Sequence, residues 1–385
     1  MSHQIGVLQI CDSLAAGGLE RVAVNLANGL PPDRVRSHIC TTRSDGPMIE
    51  LLLPHVDRIC LYRKGRFDPA AVRRLAAYIR DNHIHILHAH GTSLFIASLV
   101  SLARPHPLLI WHDHFGRYAT EQRPAWLYRL ATKRADAIIT VNEPLATWAR
   151  QQLRFPADRV RYIPNFVCEP INGYELPNLP GRNGLRIVCV ANFRPQKDHR
   201  NLLNAMRKVV LQQPQAHLVL IGHEAETACF RDIQSEIENQ DLADHVSVLG
   251  PTRDVYTVLR GCDLGVLSSS SEGLPLALLE YGMVGLPVVA TDVGQCGEVL
   301  GHGQCGLLVP PRDPTQLSSA ILTLLGSMPK RRELGRKLRD RVLQTYSARK
   351  LIKRITELYE DVLQQHGPPR SAEPLPDTRS VTNCR

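Results

Sequence analysis

Two glutamates, Glu272 and Glu280, are separated by seven residues in the stretch SSSSEGLPLALLEYGMVGLPVVATDVG. The pattern around them predicts a strand, then a loop that holds Glu272, then a helix that carries Glu280. The first turn of a helix leaves backbone N–H groups unpaired and carries about half a positive charge, so it suits a phosphate group. Carboxylates at two depths beside such a helix start could each hold a set of hydroxyls, with a diphosphate between them. A nucleotide-sugar has that shape.

The loop and first turn before Glu280 are predicted to supply the backbone contacts to this ligand. Pro275 suits the first helical position, because its missing N–H would be unpaired there in any case. The predicted substrate-binding residues of this segment are Gly273, Leu274, Pro275, Leu276 and Ala277, together with Glu280.

The Glu-x7-Glu spacing, the EGLP turn and the following GLPVVAT strand resemble the family 4 retaining glycosyltransferases. The resemblance implies that Glu272 contacts the donor sugar and that Glu280 holds the ribose of the nucleotide. It also implies the GT-B fold, in which two Rossmann-like domains face each other across a cleft. The reaction implied is transfer of a sugar from a nucleoside diphosphate sugar to an acceptor hydroxyl with retained configuration, in surface polysaccharide, exopolysaccharide or glycolipid biosynthesis.

Two cations follow the first predicted strand of the second half of the chain. Arg194 and Lys197 lie in ANFRPQKDHRNLLNAM, at the carboxyl end of that strand, where open parallel sheets bind ligands. They could neutralise a departing diphosphate as negative charge builds on it. The resembled family has Arg and Lys at this spacing with Gly after the Lys, whereas Asp198 stands here, and we interpret it as the cap of the next helix.

The first half of the chain offers glycines and histidines. Gly17 and Gly18 lie between a strand and a helix, where a backbone can approach an anion closely, and the next two charged residues of that helix, Glu20 and Arg21, are predicted to lie on its surface. By resemblance, His112 is the cleft histidine that faces the reacting sugar.

His90 is predicted to line the acceptor pocket. The alternation of His83, His85, His88 and His90 suggests a metal site, but no cysteine or carboxylate set completes one, so neither a metal nor another cofactor is expected.

Short apolar strands alternate with amphipathic helices in two series, which predicts an α/β fold of two doubly wound, Rossmann-like parallel sheets. The boundaries that we assign are 1–166 for an acceptor-binding domain, 167–345 for a nucleotide-sugar-binding domain, 346–365 for a final helix that crosses back to the first domain, and 366–385 for a disordered tail.

Charge and cysteine usage limit the environment. Residues 1–165 hold 21 Lys and Arg against 13 Asp and Glu, a net charge of +8 out of +9 for the chain. An anionic membrane surface, an anionic acceptor, nucleic acid or no partner could each explain this basic half. Our interpretation is a saccharide or lipid-linked saccharide acceptor, peripheral contact with the inner face of a membrane, and no nucleic acid. Ten scattered cysteines without a C-x-x-C pair favour reduced thiols and a cytoplasmic location.

Three rival functions remain open. A nicotinamide-dependent oxidoreductase would need a dinucleotide fingerprint after the first strand, and CDSLAAGGLE lacks one; the G-x-G-x-x-G of Gly301, Gly303 and Gly306 precedes a strand rather than a helix and is predicted to be a loop. A sugar-nucleotide epimerase could share the two-domain plan. The third is a non-catalytic nucleotide- or polyanion-binding protein. Neither the donor base and sugar nor the acceptor follows from the sequence.

Overall fold

The computed structural model describes residues 4–15, 17–66, 68–102, 106–116, 121–169, 178–223, 228–250, 252 and 254–366. Its strands are β1 Ile5–Ser13, β2 Val35–Ser44, β3 Asp57–Cys60, β4 Ile84–His90, β5 Leu108–Asp113, β6 Ala135–Thr140, β7 Val160–Tyr162, β8 Arg186–Val190, β9 His217–Ile221, β10 Val246–Leu249, β11 Leu264–Leu267, β12 Val288–Thr291 and β13 Leu307–Val309. Its helices are α1 Gly18–Gly29, α2 Pro69–Asp81, α3 Leu94–Val100, α4 Ala125–Ala131, α5 Glu143–Gln151, α6 His199–Gln212, α7 Ala228–Asn239, α8 Val255–Arg260, α9 Leu276–Val284, α10 Cys296–Val299, α11 Pro314–Leu325, α12 Met328–Thr345 and α13 Ala348–His366.

The strands form two parallel sheets. The first has the order β3-β2-β1-β4-β5-β6-β7 and the second the order β10-β9-β8-β11-β12-β13. The strand order reverses beside β1 in the first sheet and beside β8 in the second, as in doubly wound folds. Such folds bind ligands beyond the carboxyl ends of the strands at this point. The predicted fold class is confirmed. We call the elements from β1 to β7 the first lobe and those from β8 to α12 the second lobe.

The central strands are apolar on both faces because helices cover both sides of each sheet. Val7, Leu8 and Ile10 of β1 are fully buried, and so are Ile187 and Val188 of β8. The alternation of apolar strands and one-sided helices therefore carried enough information to predict the sheets.

The final helix α13 packs on the first lobe. A Cβ added to Gly29, the last residue of α1, would lie 2.3 Å from Ile352 Cδ1, so the two helices touch there. The Tyr359 hydroxyl of α13 lies 3.2 Å from Gln9 Nε2 of β1, and Arg34 pairs with Glu360. Where the chain enters α13, Ala348 N donates to Val167 O at 3.0 Å, which joins this crossing to the connection between the lobes.

Three smaller predictions concern a loop, the cysteines and the tail. Residues 301–306 form turns before β13, which confirms that the G-x-G-x-x-G is a loop. The nine described cysteines are all free thiols. The predicted disordered tail falls on residues 367–385, which lie outside the described residues, whereas His366 belongs to α13.

Candidate active site

An open cavity of about 580 Å³ lies between the two lobes, at the carboxyl ends of strands from both sheets. It brings together most of the residues that the sequence singled out. The first lobe contributes Gly17, Gly18, Glu20, Arg21, His114 and Arg123 to its lining, and the second lobe contributes Arg194, Lys197, Glu272, Gly273, Leu274, Pro275, Leu276, Ala277 and Glu280. His90 and His112 are not among the lining residues.

Glu272 and Lys197 form an ion pair at the floor of the second lobe. Lys197 Nζ lies 2.6 Å from Glu272 Oε1, and the Ser269 hydroxyl donates to the same oxygen at 2.6 Å. Glu272 is buried and Lys197 is mostly buried, so both are held in fixed positions. The loop after β8 and the loop after β11 thus meet at one charged pair.

The serines before Glu272 have a structural purpose that the sequence did not reveal. Ser268 Oγ donates to Lys197 O at 3.0 Å, and Ser270 N donates to Gln196 O at 2.8 Å. These bonds tie the short 3₁₀ turn Pro195–Lys197 to the glutamate loop. Arg194, directly before that turn, is exposed to the cavity.

Asp198 caps α6, as predicted. Its side chain accepts a hydrogen bond from Asn201 N, and its backbone is left-handed with φ of 49°. Glycine adopts this conformation without steric cost, which explains why the resembled family has Gly at this place. Aspartate is one of the few other residues that tolerate it, so the loop keeps its geometry here.

Glu280 lies one turn into α9 and is buried. The hydroxyl of the next residue, Tyr281, accepts a hydrogen bond from Val190 N of β8 at 2.8 Å, which fixes this turn of α9 against the sheet. Burial raises the pKa of Glu280, and the positive charge of Arg21 across the cavity acts in the opposite direction. One correction concerns the helix start: Pro275 is the residue before the helix, and Leu276 is its first residue.

The lobes touch at two glycines. A Cβ on Gly273 would lie 3.2 Å from Gly116 Cα, and a Cβ on Gly116 would lie 3.4 Å from Gly273 N. Beside this contact, Asn165 Nδ2 donates to Leu274 O at 3.0 Å. Because neither glycine carries a side chain, the loop after β5 can approach the EGLP turn directly.

The start of α1 faces the second lobe, so the prediction that Glu20 and Arg21 lie on an outer helix surface was wrong. Gly17 is the residue before the helix and Gly18 is its first residue. A Cβ on Gly18 would lie 3.6 Å from Leu276 Cδ1, so α1 and α9 begin side by side. Glu20 and Arg21 therefore line the cavity instead of an outer helix surface.

Four histidines form a network under the first-lobe side of the cavity. His88 Nε2 lies 3.2 Å from His112 Nδ1, and His90 Nδ1 lies 3.0 Å from His114 Nε2. Tyr359 and Gln9 join the two pairs, since His88 Nδ1 lies 2.6 Å from the Tyr359 hydroxyl, which in turn lies 3.2 Å from Gln9 Nε2. Burial lowers the pKa of His88 and of His114 to about 3, and it lowers the pKa of His90 and of His112 as well.

This network corrects two predictions. His112 and His90 are each only 1% exposed and lie beneath the floor, whereas His114, two residues beyond His112 and directly after the end of β5, lines the cavity. His112 and His114 lie two residues apart in the sequence, and their depth at the end of β5 is what distinguishes them.

Alternating histidines on β4 were noted in the sequence but no metal was expected, and the structure brings a different set of histidines together. Ligand nitrogens of His88, His90 and His112 lie within 4.8 Å of one another, which is close enough for a metal ion. His90 Nε2, however, lies 2.9 Å from Gln9 Oε1, and both nitrogens of His88 are paired as described above. His85 Nδ1 accepts from Gly6 N instead. Five of the six ring nitrogens in this trio thus have a hydrogen-bond partner, whereas His112 Nε2 is buried and has none among the described residues.

A buried ion pair braces the loop that carries His114. Arg123 Nη1 and Nη2 donate to the two oxygens of Asp113 at 2.9 and 2.7 Å, and Phe115 N donates to Asp113 Oδ1 at 3.1 Å. The guanidinium also lies 4.0 Å from the ring centre of Trp148 and 4.4 Å from that of Phe115. Such bidentate, ring-stacked contacts are specific to arginine.

The outer face of the same region is apolar and basic. Trp126 and Leu130 of α4 are 69% and 56% exposed, and Leu99 and Leu102 at the end of α3 are each 52% exposed. Across the described residues no helix has the length and apolar character that a membrane span requires.

Two family models match this chain. The model described as Glycosyltransferase Family 4 matches residues 16–168, and the model described as Glycosyl transferases group 1 matches residues 179–341. The matches correspond to the two lobes and together account for most of the chain.

Two curated relatives are similar to this chain over two thirds or more of their own length. The N-acetyl-alpha-D-glucosaminyl L-malate synthase of Bacillus anthracis is 27% identical over 321 residues, which are 80% of this chain and 83% of that protein. The phosphatidyl-myo-inositol mannosyltransferase of Mycolicibacterium smegmatis is 26% identical over 270 residues, or 68% of this chain and 67% of that protein.

Solved structures share the fold. A glycosyltransferase from Rickettsia africae superposes with a TM-score of 0.75 at 16% identity, covering 94% of this chain and 99% of that one. The Anabaena protein HepE in complex with UDP-glucose gives a TM-score of 0.76 at 20% identity, covering 93% of this chain and 100% of that one.

Proposed function

The chain belongs to the family 4 glycosyltransferases, and from that premise we propose how its cleft performs the transfer. The second lobe binds a nucleoside diphosphate sugar, the first lobe presents the acceptor hydroxyl, and the sugar is transferred with retention of its anomeric configuration. The observation that carries this proposal is the convergence of Glu272, Glu280, Arg194 and Lys197 on one cavity, beside the start of α9.

The diphosphate lies between the two acids in this proposal. Arg194, Lys197 and the unpaired N–H groups at the start of α9 stabilise the negative charge that develops on the leaving group. Lys197 is held in advance by the serine contact to its carbonyl and by Glu272, so little reorganisation of this cation is needed when the bond to the sugar breaks. The mechanism is electrostatic and draws on side chains and backbone of this chain.

The two acids orient the parts on either side of the diphosphate. Glu272, in the loop before the helix, accepts hydrogen bonds from hydroxyls of the donor sugar. Glu280, one turn into α9, accepts from the ribose hydroxyls. A carboxylate that accepts from hydroxyls forms stronger bonds than a neutral acceptor does, which offsets the burial of its charge.

His114 takes the role that the resemblance gave to His112. It is the histidine of the network that lines the cavity, and its low pKa keeps it neutral near pH 7. A neutral imidazole can hydrogen-bond a sugar hydroxyl without adding positive charge next to the reacting carbon. The brace of Asp113 and Arg123 keeps the loop that carries it in place.

For the acceptor we propose a saccharide attached to a lipid, presented at an anionic membrane surface. The exposed Trp126 and Leu130 lie on α4, Leu99 lies on α3 and Leu102 directly follows it. Phe95 of α3 packs on Tyr128 of α4 with ring centres 5.2 Å apart. Exposed Arg129, Lys133 and Arg134 accompany them. Tyr128 also lines the cavity, so this surface adjoins the acceptor side of the cleft. Aromatic and basic residues together suit a membrane interface.

A thermal-shift panel of UDP-, GDP- and ADP-sugars tests the donor site. A donor at 100 times its dissociation constant stabilises the folded state by about 2.7 kcal/mol. The stabilising donor is then incubated with the protein, and the anomeric configuration of the sugar released to water or acceptor is followed by NMR from the first turnovers. Absence of any stabilising donor, or release of the inverted anomer, would refute the proposal. An epimerase would instead return an isomer of the intact nucleotide-sugar.

A further inference from the structure

Gln9 is a fully buried amide at the centre of β1, and the mechanism proposed above does not use it. Its carbonyl oxygen Oε1 lies 2.9 Å from His90 Nε2, and its amide nitrogen Nε2 lies 3.2 Å from the Tyr359 hydroxyl. An amide oxygen only accepts hydrogen bonds, and an amide nitrogen only donates them. Gln9 therefore sets the direction of the hydrogen bonds on both of its sides.

On the cavity side, this direction passes from ring to ring. Burial lowers the pKa of His90 and of His114, so each imidazole is neutral near pH 7 and carries one hydrogen. His90 Nε2 donates to Gln9 Oε1, which leaves His90 Nδ1 as the acceptor that lies 3.0 Å from His114 Nε2. His114 Nε2 therefore carries the hydrogen of its ring, and His114 Nδ1 keeps a lone pair.

On the other side, the direction continues away from the cavity. Gln9 Nε2 donates to the Tyr359 hydroxyl, which donates to His88 Nδ1 at 2.6 Å. His88 Nε2 then donates to His112 Nδ1 at 3.2 Å. All the hydrogen bonds of the network thus run in one direction, and turning the Gln9 amide over would reverse every one of them.

This direction leaves two acceptor atoms without a partner in residues that line the cavity. His114 Nδ1 and Asn165 Oδ1 are both buried, and neither has a hydrogen-bond partner among the described residues. Burial lowers the pKa of His114, and the Asn165 side chain acts in the opposite direction, as an acceptor close to the ring does. Because Asn165 Nδ2 donates to Leu274 O at 3.0 Å, Oδ1 is the end of this amide that a ligand can use. Buried acceptors without partners suit a ligand that brings hydroxyl donors.

We propose that Gln9 is a positioning residue whose amide fixes the tautomer of His114, so that His114 Nδ1 accepts a hydrogen bond from a hydroxyl of the donor sugar. Tyr359 of the crossing helix holds the Gln9 amide in this orientation. The opposite tautomer would donate from Nδ1 to Asn165 Oδ1 and offer the sugar no acceptor. This inference rests on the function proposed above, because it takes the ligand of the cleft to be a nucleotide-sugar.

The tautomer of His114 can be measured directly by NMR on the full chain with isotope-labelled histidine. Spectra that correlate ring nitrogens with the hydrogens on ring carbons distinguish a nitrogen that carries a hydrogen from one with a lone pair. The signals that disappear in His114→Asn belong to His114. We expect its hydrogen on Nε2 in wild-type protein without ligand, and a hydrogen on Nδ1 would refute the proposal.

Two variants test the role of the amide. Tyr359→Phe removes the hydroxyl that holds it, and Gln9→Met replaces it with an unbranched apolar side chain. Both should move part of the His114 population to the tautomer with its hydrogen on Nδ1. The nucleotide-sugar that stabilises wild-type protein in the thermal-shift panel should then bind about threefold to tenfold more weakly, which is the effect of one neutral hydrogen bond.

The nucleoside diphosphate without its sugar separates this effect from a general disturbance. Its dissociation constant, measured by isothermal titration with UDP, GDP or ADP, should stay within about twofold of wild type, because the second lobe binds it. Tyr346→Phe is the matched control, since it removes another buried tyrosine hydroxyl, one without a hydrogen-bond partner among the described residues. This variant should change neither the tautomer nor either dissociation constant.

The outcomes distinguish the inference from the function on which it rests. If Tyr359→Phe keeps the wild-type tautomer, or changes it without weakening the nucleotide-sugar, Gln9 does not act through His114 and the proposal is refuted. Equal weakening of the nucleotide-sugar and the nucleoside diphosphate, or the same effect in Tyr346→Phe, also refutes it. Wild-type protein that binds none of the nucleotides would overturn the donor-site proposal, and the role of Gln9 toward a sugar with it, whatever tautomer the spectra show.

Discussion

Glu280 is a buried carboxyl whose environment disfavours its charge, and such groups are kept where a ligand needs them. We predict that Glu280→Gln weakens donor binding about tenfold, because two charge-assisted hydrogen bonds to the ribose become neutral ones. The same change removes a buried charge, so the free energy of unfolding should stay equal or increase. Titration with the donor and urea denaturation measure the two quantities on one sample.

A structural role for Glu280 would give the reverse pattern. Loss of stability with unchanged donor affinity would show that the carboxylate holds α9 in place and does not contact the nucleotide. Glu333→Gln, on the exposed face of α12, controls for the general effect of removing one negative charge.

The histidine network predicts a pH dependence of stability. The folded pKa of His114, about 3, lies below the ordinary unfolded value of about 6.5. The unfolded chain therefore binds more protons than the folded chain between these values, and the stability that the neutral side chain contributes above pH 6.5 is lost as pH falls. We predict that His114→Asn reduces the slope of unfolding free energy against pH, measured in urea between pH 7 and 5, by on the order of 1 kcal/mol per pH unit.

The exposed His55 supplies the control for this slope, since His55→Asn removes a histidine that lies at the surface. An unchanged slope in His114→Asn would mean that the folded protein protonates this side chain as readily as the unfolded chain does. The burial described for the cavity floor would then be incorrect.

At the residue scale, the sequence predicted those site residues that follow a recognisable strand pattern. Glu272, Glu280, Arg194 and Lys197 each follow a recognisable strand, and parallel strands bring their carboxyl ends to one edge of a sheet. Glu20 and Arg21 were misplaced because nothing local shows that α1 faces a second lobe. The resemblance assigned the cleft position to His112, whereas His114, two residues further along the chain, lines the cavity, and no local pattern reports this difference in depth.

At the scale of elements, the loop of Glu272 depends on a glycine beneath it. Gly294 has a left-handed φ of 55°, and a Cβ there would lie 2.1 Å from Glu272 O. We predict that Gly294→Ala shifts the loop, lowers transfer activity at least about tenfold and destabilises the protein by about 2 kcal/mol, through backbone strain and the clash together. Activity and thermal unfolding are measured on the purified variant.

Gly303→Ala is the control that separates the steric clash of the added Cβ from the backbone strain. Gly303 also has a left-handed φ, of 93°, but a Cβ there would meet nothing within 4 Å. This variant should lose stability and keep activity. Equal activity losses in the two variants would contradict the claim that Gly294 acts through the Glu272 loop.

The elements themselves were the easier part of the prediction. α9 is buried on nearly every side, and its apolar composition with a single acid is visible in the sequence itself. The serine contacts to the Pro195–Lys197 turn and the bond from Tyr359 to His88 join segments that are 71 and 271 residues apart, and no periodicity in the chain reports such pairings.

At the scale of the whole molecule, two contacts at the start of the connection between the lobes tie the first lobe to the rest of the chain. Asn165 bonds Leu274 on the cleft side, and Val167 bonds Ala348 where α13 begins. The crossing helix then reaches the histidine network through Tyr359.

The distribution of exposed apolar groups also belongs to this scale. Four of the eight described large apolar side chains that are exposed belong to α3, the turn after it and α4, namely Leu99, Leu102, Trp126 and Leu130, whereas Leu211 lies on α6 of the second lobe. We predict that Trp126→Ser with Leu130→Ser reduces binding to vesicles of phosphatidylglycerol and phosphatidylcholine about tenfold or more, since each side chain loses apolar burial in the interface. Leu211→Ser should bind as wild type.

Because Arg129, Lys133 and Arg134 add attraction of about 1 kcal/mol each near an anionic surface, wild-type binding should weaken as salt rises and vanish on phosphatidylcholine alone. Sedimentation with vesicles measures all of these, and equal binding of the two variants would show that α3 and α4 do not form the membrane-facing surface.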